Sequence, residues 1–144
     1  MLNVDYGDIE HFRPRKVFPE LVVSWGNLTL ACGRCNGEKG SKWDEDVPFV
    51  NPFEDSISDH LFFLGPFVFG KSDRGDYTVI ELDLNNSNRV EARNRALAEV
   101  ENLLRLIAAS GSYAKERLEA VIDKLCDSGE YSSAVRMYIS ARRG

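Results

Sequence analysis

The sequence predicts an α+β protein in which short strands come first and about three helices follow. Residues 9–12 are predicted to form a short strand, in which successive side chains face opposite sides. After residue 87, apolar residues recur at helical spacing. With 144 residues the chain is long enough for one compact domain. Within it we distinguish a core at 1–50, a loop and β-hairpin extension at 51–86, and a helical segment at 87–144.

The first strand is expected to place Ile9 and His11 on one face and Glu10 and Phe12 on the other. Pro14 ends its pairing, because proline has no N–H to give to a sheet. The acid and the histidine are therefore neighbours on a short, well-bounded strand.

A short helix is expected after Cys35 and ends at Gly40. Residues 44–59 contain two prolines and several acids, which indicates a loop. Trp25 and Trp43 are interpreted as core anchors, because large aromatic side chains contribute much apolar area to a core.

Residues 67–69 and 77–82 are predicted to pair as a β-hairpin. Both segments are rich in aromatic and β-branched side chains, and the polar segment 71–76 between them contains the glycine and aspartates typical of turns.

Three helices complete the prediction. The first begins at Asn88, which with Glu91 forms a variant of the capping box, and ends at residues 110–111. The second covers 113–125 and ends near Ser128-Gly129, and the third covers 131–143. Apolar stripes of this kind are typical of helix-packing cores.

The composition bears on the cellular location of the protein, on the chemistry of its cysteines and on its partners. No apolar stretch approaches the roughly 20 residues needed to cross a bilayer, and the start of the chain lacks the pattern of a secretory signal, so a cytoplasmic location without membrane contact is predicted. Three cysteines in a reducing compartment favour metal or redox chemistry over disulfides. The net charge of −5 argues against a nucleic-acid partner, but residues 1–43 carry +1 and the remainder −6.

One group of residues indicates chemistry. Glu10-His11 is followed by Asn27 and then by Cys32-Gly33-Arg34-Cys35-Asn36. A carboxylate beside an imidazole, with an amide oxygen from a later segment, can hold a divalent cation next to a general base. This pattern favours hydrolysis of a phosphate ester.

These residues resemble the HNH endonuclease family, which has an acid–histidine pair on a first strand, a central asparagine, and a third His or Asn at the start of a helix. The third position here is Asn36, a known variant of the motif. Three sequence segments further resemble a bacterial HNH subgroup, some of whose members act beside ATPase partners in anti-phage systems. These segments are Ile-Glu-His-Phe-Arg-Pro-Arg, Trp-Gly-Asn-Leu and Cys-x-x-Cys-Asn-x-x-Lys. The resemblance begins at about Tyr6 and is strong only in the first half of the chain.

The resemblance implies a ββα-metal core and a metal-dependent endonuclease that cuts DNA. His11 would be the general base, because an imidazole is largely neutral at cellular pH. Glu10 and Asn36 would bind one Mg²⁺ or Mn²⁺ through oxygen atoms. Asn27 would brace the loop and orient His11.

The remaining expectations concern partners. Arg13, Arg15 and Lys39 are candidates for contact with the phosphate backbone of DNA. An ATPase partner protein is implied by the resemblance, whereas the sequence does not select an oligomeric state.

Cys32 and Cys35 have the spacing of half a zinc site. The family commonly completes this site with a second Cys-x-x-Cys upstream of the acid–histidine pair, but residues 1–9 contain no cysteine. A chain truncated at its N-terminus would explain this. Otherwise the pair is metal-free, uses His or carboxylate ligands for Zn²⁺, or is completed by another chain, and the metal-free alternative is favoured.

Two other functions compete with the enzyme. One is an inactive module that keeps an HNH-like fold and binds nucleic acid or a partner. The other is a thiol oxidoreductase using Cys32 and Cys35, which is disfavoured because the βαβ frame of that class is missing. His60, the second histidine, is interpreted as a structural hydrogen-bonding residue.

Overall fold

The computed structural model describes residues 7–128 and 131–143. Within these residues the protein is α+β, with six α-helices and two antiparallel sheets of two strands each. The predicted α+β class is therefore confirmed, and the ββα-metal core stays a prediction. Tyr6, where the resemblance begins, and Gly129, near the predicted end of the second helix, lie outside the described residues.

The elements follow one another in a simple order. In the first half of the chain they are β1 (Asp8–His11), two short 3₁₀ helices (Pro19–Leu21 and Trp25–Asn27), β2 (Leu28–Ala31), α1 (Gly33–Lys39) and α2 (Ile57–His60). Next come β3 (Leu61–Leu64), β4 (Phe67–Gly70) and α3 (Asp73–Glu81). Three longer helices, α4 (Ser87–Ala109), α5 (Ser112–Ser128) and α6 (Ser132–Arg143), complete the chain.

The described residues fall into two compact units. The first contains residues 7–61 and 70–84, and the second contains residues 62–69 and the chain from 85 onward. The predicted boundaries after residues 50 and 86 stay predictions.

The first unit is built on the β1–β2 ribbon and α1. The two strands are antiparallel, with Glu10 opposite Thr29 and His11 opposite Leu28. Helix α1 packs against both strands. It ends where the sequence predicts, because Gly40 adopts a positive φ of 51° that glycine reaches without steric cost.

Helix α3 replaces the second strand of the predicted hairpin, so the prediction of a strand at 77–82 is wrong. The hairpin is instead formed by β3 and β4. Ser72 caps α3 by accepting a hydrogen bond from the Gly75 N–H at 3.1 Å. Gly75 is required because a Cβ there would lie 2.0 Å from the carbonyl oxygen of His60. A packed glycine and a cap thus override the strand propensity of the following residues.

His60 has the structural role expected of it. Its Nδ1 lies 2.7 Å from the hydroxyl of the same Ser72 that caps α3.

The two tryptophans that were predicted to be core anchors differ in burial. Trp43 packs edge-on against Phe12 and Phe18, but Trp25 is 87% exposed, so its assignment to the core is wrong.

The second unit is a packed group of helices, as predicted. Its core consists of Leu97, Val100, Ile122, Val135 and Ile139, and Cys126 packs at its edge. The cap of α4 is Asn86, whose side chain accepts from the Arg89 N–H, and not the predicted Asn88. No described helix is both long and apolar enough to cross a membrane.

Arg74 fixes the loop of the first unit to α3. Its guanidinium donates to both carboxylate oxygens of Asp55, at 3.1 and 2.6 Å, and to the backbone carbonyls of Pro48 and Phe49. The Arg74 guanidinium, helped by the Asn51 N–H, holds the pKa of Asp55 below its usual value.

Acid is expected to weaken this unit through Asp55. A carboxyl whose pKa is lower in the folded than in the unfolded chain stabilises the fold above the unfolded pKa, and this stabilisation is lost as the pH falls through the folded pKa. The free energy of unfolding should therefore fall as the pH is lowered from about 5, just above the usual range of aspartate. Urea titrations at several pH values should show a shallower fall for Asp55→Asn. The exposed Asp46→Asn serves as control, and equal slopes for wild type and Asp55→Asn would contradict the assignment.

Candidate functional site

The β1–β2–α1 arrangement brings the predicted carboxylate, imidazole and amide to one cavity. Glu10 and His11 are consecutive on β1, and Asn36 lies on α1. All three line a cavity of about 450 Å³ in the first unit. The other lining residues are Ile9, Pro14, Arg15, Lys16, Gly40 and Ser41. The walls therefore carry two exposed basic side chains in addition to the three predicted site residues.

The imidazole of His11 has a defined orientation. Its Nε2 lies 3.0 Å from the carbonyl oxygen of Val22. A carbonyl only accepts hydrogen bonds, so Nε2 must carry the proton. In the neutral imidazole the other nitrogen, Nδ1, is then the proton acceptor. His11 is half-buried and is one of the residues that line the cavity.

Asn27 holds the loop that carries this carbonyl. Its Oδ1 accepts from the Arg13 N–H at 2.8 Å, and its Nδ2 donates to the carbonyls of Arg13 at 3.1 Å and Leu21 at 3.3 Å. Asn27 is only 6% exposed. It thereby fixes both ends of the loop that includes Val22, which is the geometry that a bracing role requires.

Glu10 is paired with Lys39. The Lys39 ammonium donates to Glu10 Oε1 and, at 2.8 Å, to the backbone carbonyl of His11. Lys39 is 4% exposed. The structure therefore buries the Lys39 ammonium against β1, whereas a phosphate contact at the helix end was expected. Its long side chain reaches inward because α1 packs on the ribbon.

Asn36 is half-buried on α1, and its position suits a ligand. Its backbone groups belong to the helix, with the N–H bonded to the Cys32 carbonyl and the carbonyl accepting from Gly40. No described residue forms a hydrogen bond with its side-chain amide, and Asn36 is one of the residues that line the cavity. The amide oxygen is thus available to a ligand in the cavity.

The donor set fits a hard cation. Glu10 and Asn36 both line the cavity and both carry side-chain oxygen atoms, which are the ligands that Mg²⁺ prefers. Among residues 7–128 and 131–143, no group of three or more His, Cys, Asp or Glu side chains could hold a metal. A cation at Glu10 and Asn36 would therefore take its other ligands from water and phosphate, as Mg²⁺ commonly does.

The cysteine pair caps a helix. Cys32 Sγ accepts from the Cys35 N–H at 3.4 Å at the start of α1. The described residues contain no His, Cys or carboxylate group that completes a metal cluster with them. Zinc binding by this half-site remains a prediction.

The basic residues around the cavity differ in their surroundings. The Arg13 guanidinium lies over the rings of Phe18 and Trp43, at 5.7 and 5.8 Å from their centroids. Arg15 lines the cavity, as does Lys16, which sequence reasoning did not select. The sequence signal for Lys16 is its position directly after the basic Arg13-Pro14-Arg15 segment.

A second cavity of about 550 Å³ lies next to the first and shares Ile9 with it. Its lining is mainly apolar and includes the exposed rings of Trp25 and Phe53.

The fold and the site together define an α+β protein that gathers a carboxylate, an imidazole and an amide on a strand–strand–helix unit. This chain is similar to Septu protein PtuB of Bacillus thuringiensis, with 32% identity over 145 aligned positions that cover 90% of this chain and 56% of the relative. It is also similar to Septu protein PtuB of Bacillus mycoides strain KBAB4, with 29% identity over 135 positions, 70% of this chain and 46% of the relative. The chain thus spans about half the length of the curated relatives it matches. No family model matches it, and no solved structure does.

Removing the Asn27 amide should loosen the site loop. In Asn27→Ala the backbone N–H and carbonyl of Arg13 lose their partners, and a buried unsatisfied group costs about 1–3 kcal/mol. We expect the free energy of unfolding to fall by about 2–3 kcal/mol, measured by urea denaturation, and the Arg13 amide to lose protection from hydrogen exchange.

Asn94→Ala, an exposed position on α4, is the control and should change stability by less than about 0.5 kcal/mol. An Arg13 amide that exchanges at the same rate in wild type and Asn27→Ala would show that the contact does not hold the loop.

Proposed function

We propose that this protein is a metal-dependent HNH endonuclease that hydrolyses phosphodiester bonds of DNA. The observation that carries the proposal is that Glu10, His11 and Asn36 line one cavity and that His11 Nε2 is bonded to the Val22 carbonyl, which leaves Nδ1 of a neutral ring as the proton acceptor. A carboxylate and an amide for one hard cation, together with a neutral imidazole, suit the hydrolysis of a phosphodiester. Arg15 and Lys16 add positive charge to the walls that would face a phosphate.

In the proposed reaction, His11 Nδ1 takes a proton from the attacking water while the new oxygen–phosphorus bond forms. The bond between phosphorus and the 3′ oxygen breaks, leaving a 5′ phosphate and, after protonation, a 3′ hydroxyl, as the HNH resemblance implies. Asn27 has an indirect, positioning role. It holds the loop whose Val22 carbonyl fixes the tautomer of His11. Mg²⁺ or Mn²⁺ held by Glu10 and Asn36 would neutralise the charge that develops on the phosphate oxygens.

We further propose a role in anti-phage defence, with an ATPase as partner protein. The name Septu protein PtuB, shared by both relatives, agrees with the anti-phage subgroup that the sequence motifs resemble. The similarity covers most of this chain. A shared activity would depend on the segment from Glu10 to Asn36, which carries the proposed chemistry.

An inactive binding module is the second candidate function. The observation that favours it is the Lys39–Glu10 pair, which already neutralises the carboxylate that a cation would use. In that case the chain would bind DNA or its partner without cutting.

Replacing His11 should separate the two functions. Supercoiled plasmid is incubated with wild type, His11→Ala and His60→Gln in Mg²⁺, Mn²⁺ or Ni²⁺. Loss of a general base is expected to slow nicking by about a hundredfold or more. His60→Gln should keep the wild-type rate, because glutamine can still bond to Ser72 and lies outside the cavity.

Circular dichroism should first show that the three proteins are equally folded. Nicking by His11→Ala at the wild-type rate would refute the enzyme. A wild type that shifts DNA in a gel without nicking it in any of the three metals would favour the binding module.

A further inference from the structure

Lys39 contacts both proposed active-site residues of β1. Its ammonium donates to Glu10 Oε1 and to the backbone carbonyl of His11. It also lies over the Phe49 ring, 5.9 Å from the centroid. Three contacts of different kinds therefore fix a single side chain inside the first unit.

A lysine in such a position needs compensation for its lost hydration. Burying an unpaired ammonium is strongly unfavourable, so a buried lysine is found with an anion and with further hydrogen-bond acceptors. Here the carboxylate supplies the anion and the His11 carbonyl supplies an acceptor. The reverse also holds: Glu10, which is itself buried, depends on Lys39 for its counter-ion.

The position of Lys39 makes it a competitor of any cation at Glu10. The ammonium occupies one oxygen of the carboxylate that, under the proposed function, would bind a divalent metal. A positive charge at that distance repels a second cation, because Coulomb energies are large where water is excluded. The same ammonium holds the carboxylate and the β1 backbone in place before any metal arrives.

We propose that Lys39 is an internal counter-ion and positioning residue that makes the protein bind its catalytic metal weakly in the absence of nucleic acid. This inference rests on the proposed function for the identity of the metal site. A phosphate brings negative charge and oxygen ligands into the cavity and so offsets the repulsion by Lys39. Metal binding and nucleic-acid binding are then thermodynamically coupled, and each strengthens the other.

Lys39→Met tests the proposal, because methionine has similar length but no charge. With the ammonium gone, Glu10 lacks a partner and the repulsion is removed, so the variant should bind Mn²⁺ more tightly than wild type, by on the order of tenfold. Free Mn²⁺ measured by electron paramagnetic resonance, without nucleic acid, gives this affinity. The metal-free variant should melt at a lower temperature, and added Mn²⁺ should raise its Tm more than that of wild type. Plasmid nicking at saturating metal should nevertheless be slower, because Glu10 and His11 are no longer held.

Three further variants make the test specific. Lys39→Arg keeps the charge and should retain weak Mn²⁺ binding. Lys42 lies three residues after Lys39, is exposed and pairs with Glu81. Lys42→Met should therefore leave the affinity for Mn²⁺ unchanged. Adding Glu10→Gln to Lys39→Met should abolish the gain.

A folded Lys39→Met that binds Mn²⁺ no more tightly than wild type would overturn the proposal. If Lys39→Met does not fold, Lys39→Gln replaces it under the same criterion. A gain that persists without the Glu10 carboxylate would also overturn the proposal, because the metal would then sit elsewhere. The assay contains no DNA, so its result is distinct from failure of the endonuclease proposal, which the nicking rate of wild type decides.

Discussion

The contact of Lys39 with Glu10 and the His11 carbonyl is the interaction on which the first unit depends. It joins the last turn of α1 to β1 across 28 to 29 residues of sequence. Neither β1 nor α1 is long enough to be stable alone, since short isolated helices and single hairpins are marginal in water. The pair joins the helix turn that carries Lys39 to β1, and Asn36, about one turn earlier on α1, lines the same cavity as His11.

Asn27 provides the second constraint, and it acts on the loop. A side-chain amide that bonds to both backbone groups of Arg13 behaves like an added rung of the sheet beyond the end of β1. The loop between Arg13 and Asn27 can then be irregular, while its Val22 carbonyl keeps a fixed position next to His11. Two polar contacts, one for the carboxylate and one for the imidazole, thus order a site made of short elements.

Much of this arrangement could be predicted from sequence where the determinants are local. The strand predicted at 9–12 corresponds to β1, Gly40 marks the end of α1, and the apolar stripes correspond to the three long helices. The segment 77–82 was mistaken for a strand because its β-branched side chains favour one, whereas Gly75 packs against the His60 backbone, a contact that no local pattern contains. The site also combines local and tertiary determinants. The residue types at positions 10, 11 and 36 can be recognised from the sequence motif. The inward turn of Lys39 and the Val22 carbonyl beside His11 depend on tertiary folding.

The exposed indole of Trp25 makes the site loop optically visible. Trp25 belongs to the 3₁₀ turn that ends in Asn27, and it lines the apolar cavity that shares Ile9 with the site. The chain has only one other tryptophan, Trp43, which is shielded between Phe12 and Phe18 and should emit at shorter wavelength. In a Trp43→Phe background, intrinsic fluorescence would come from Trp25 alone. Events at the loop could then be followed in real time without attaching a dye.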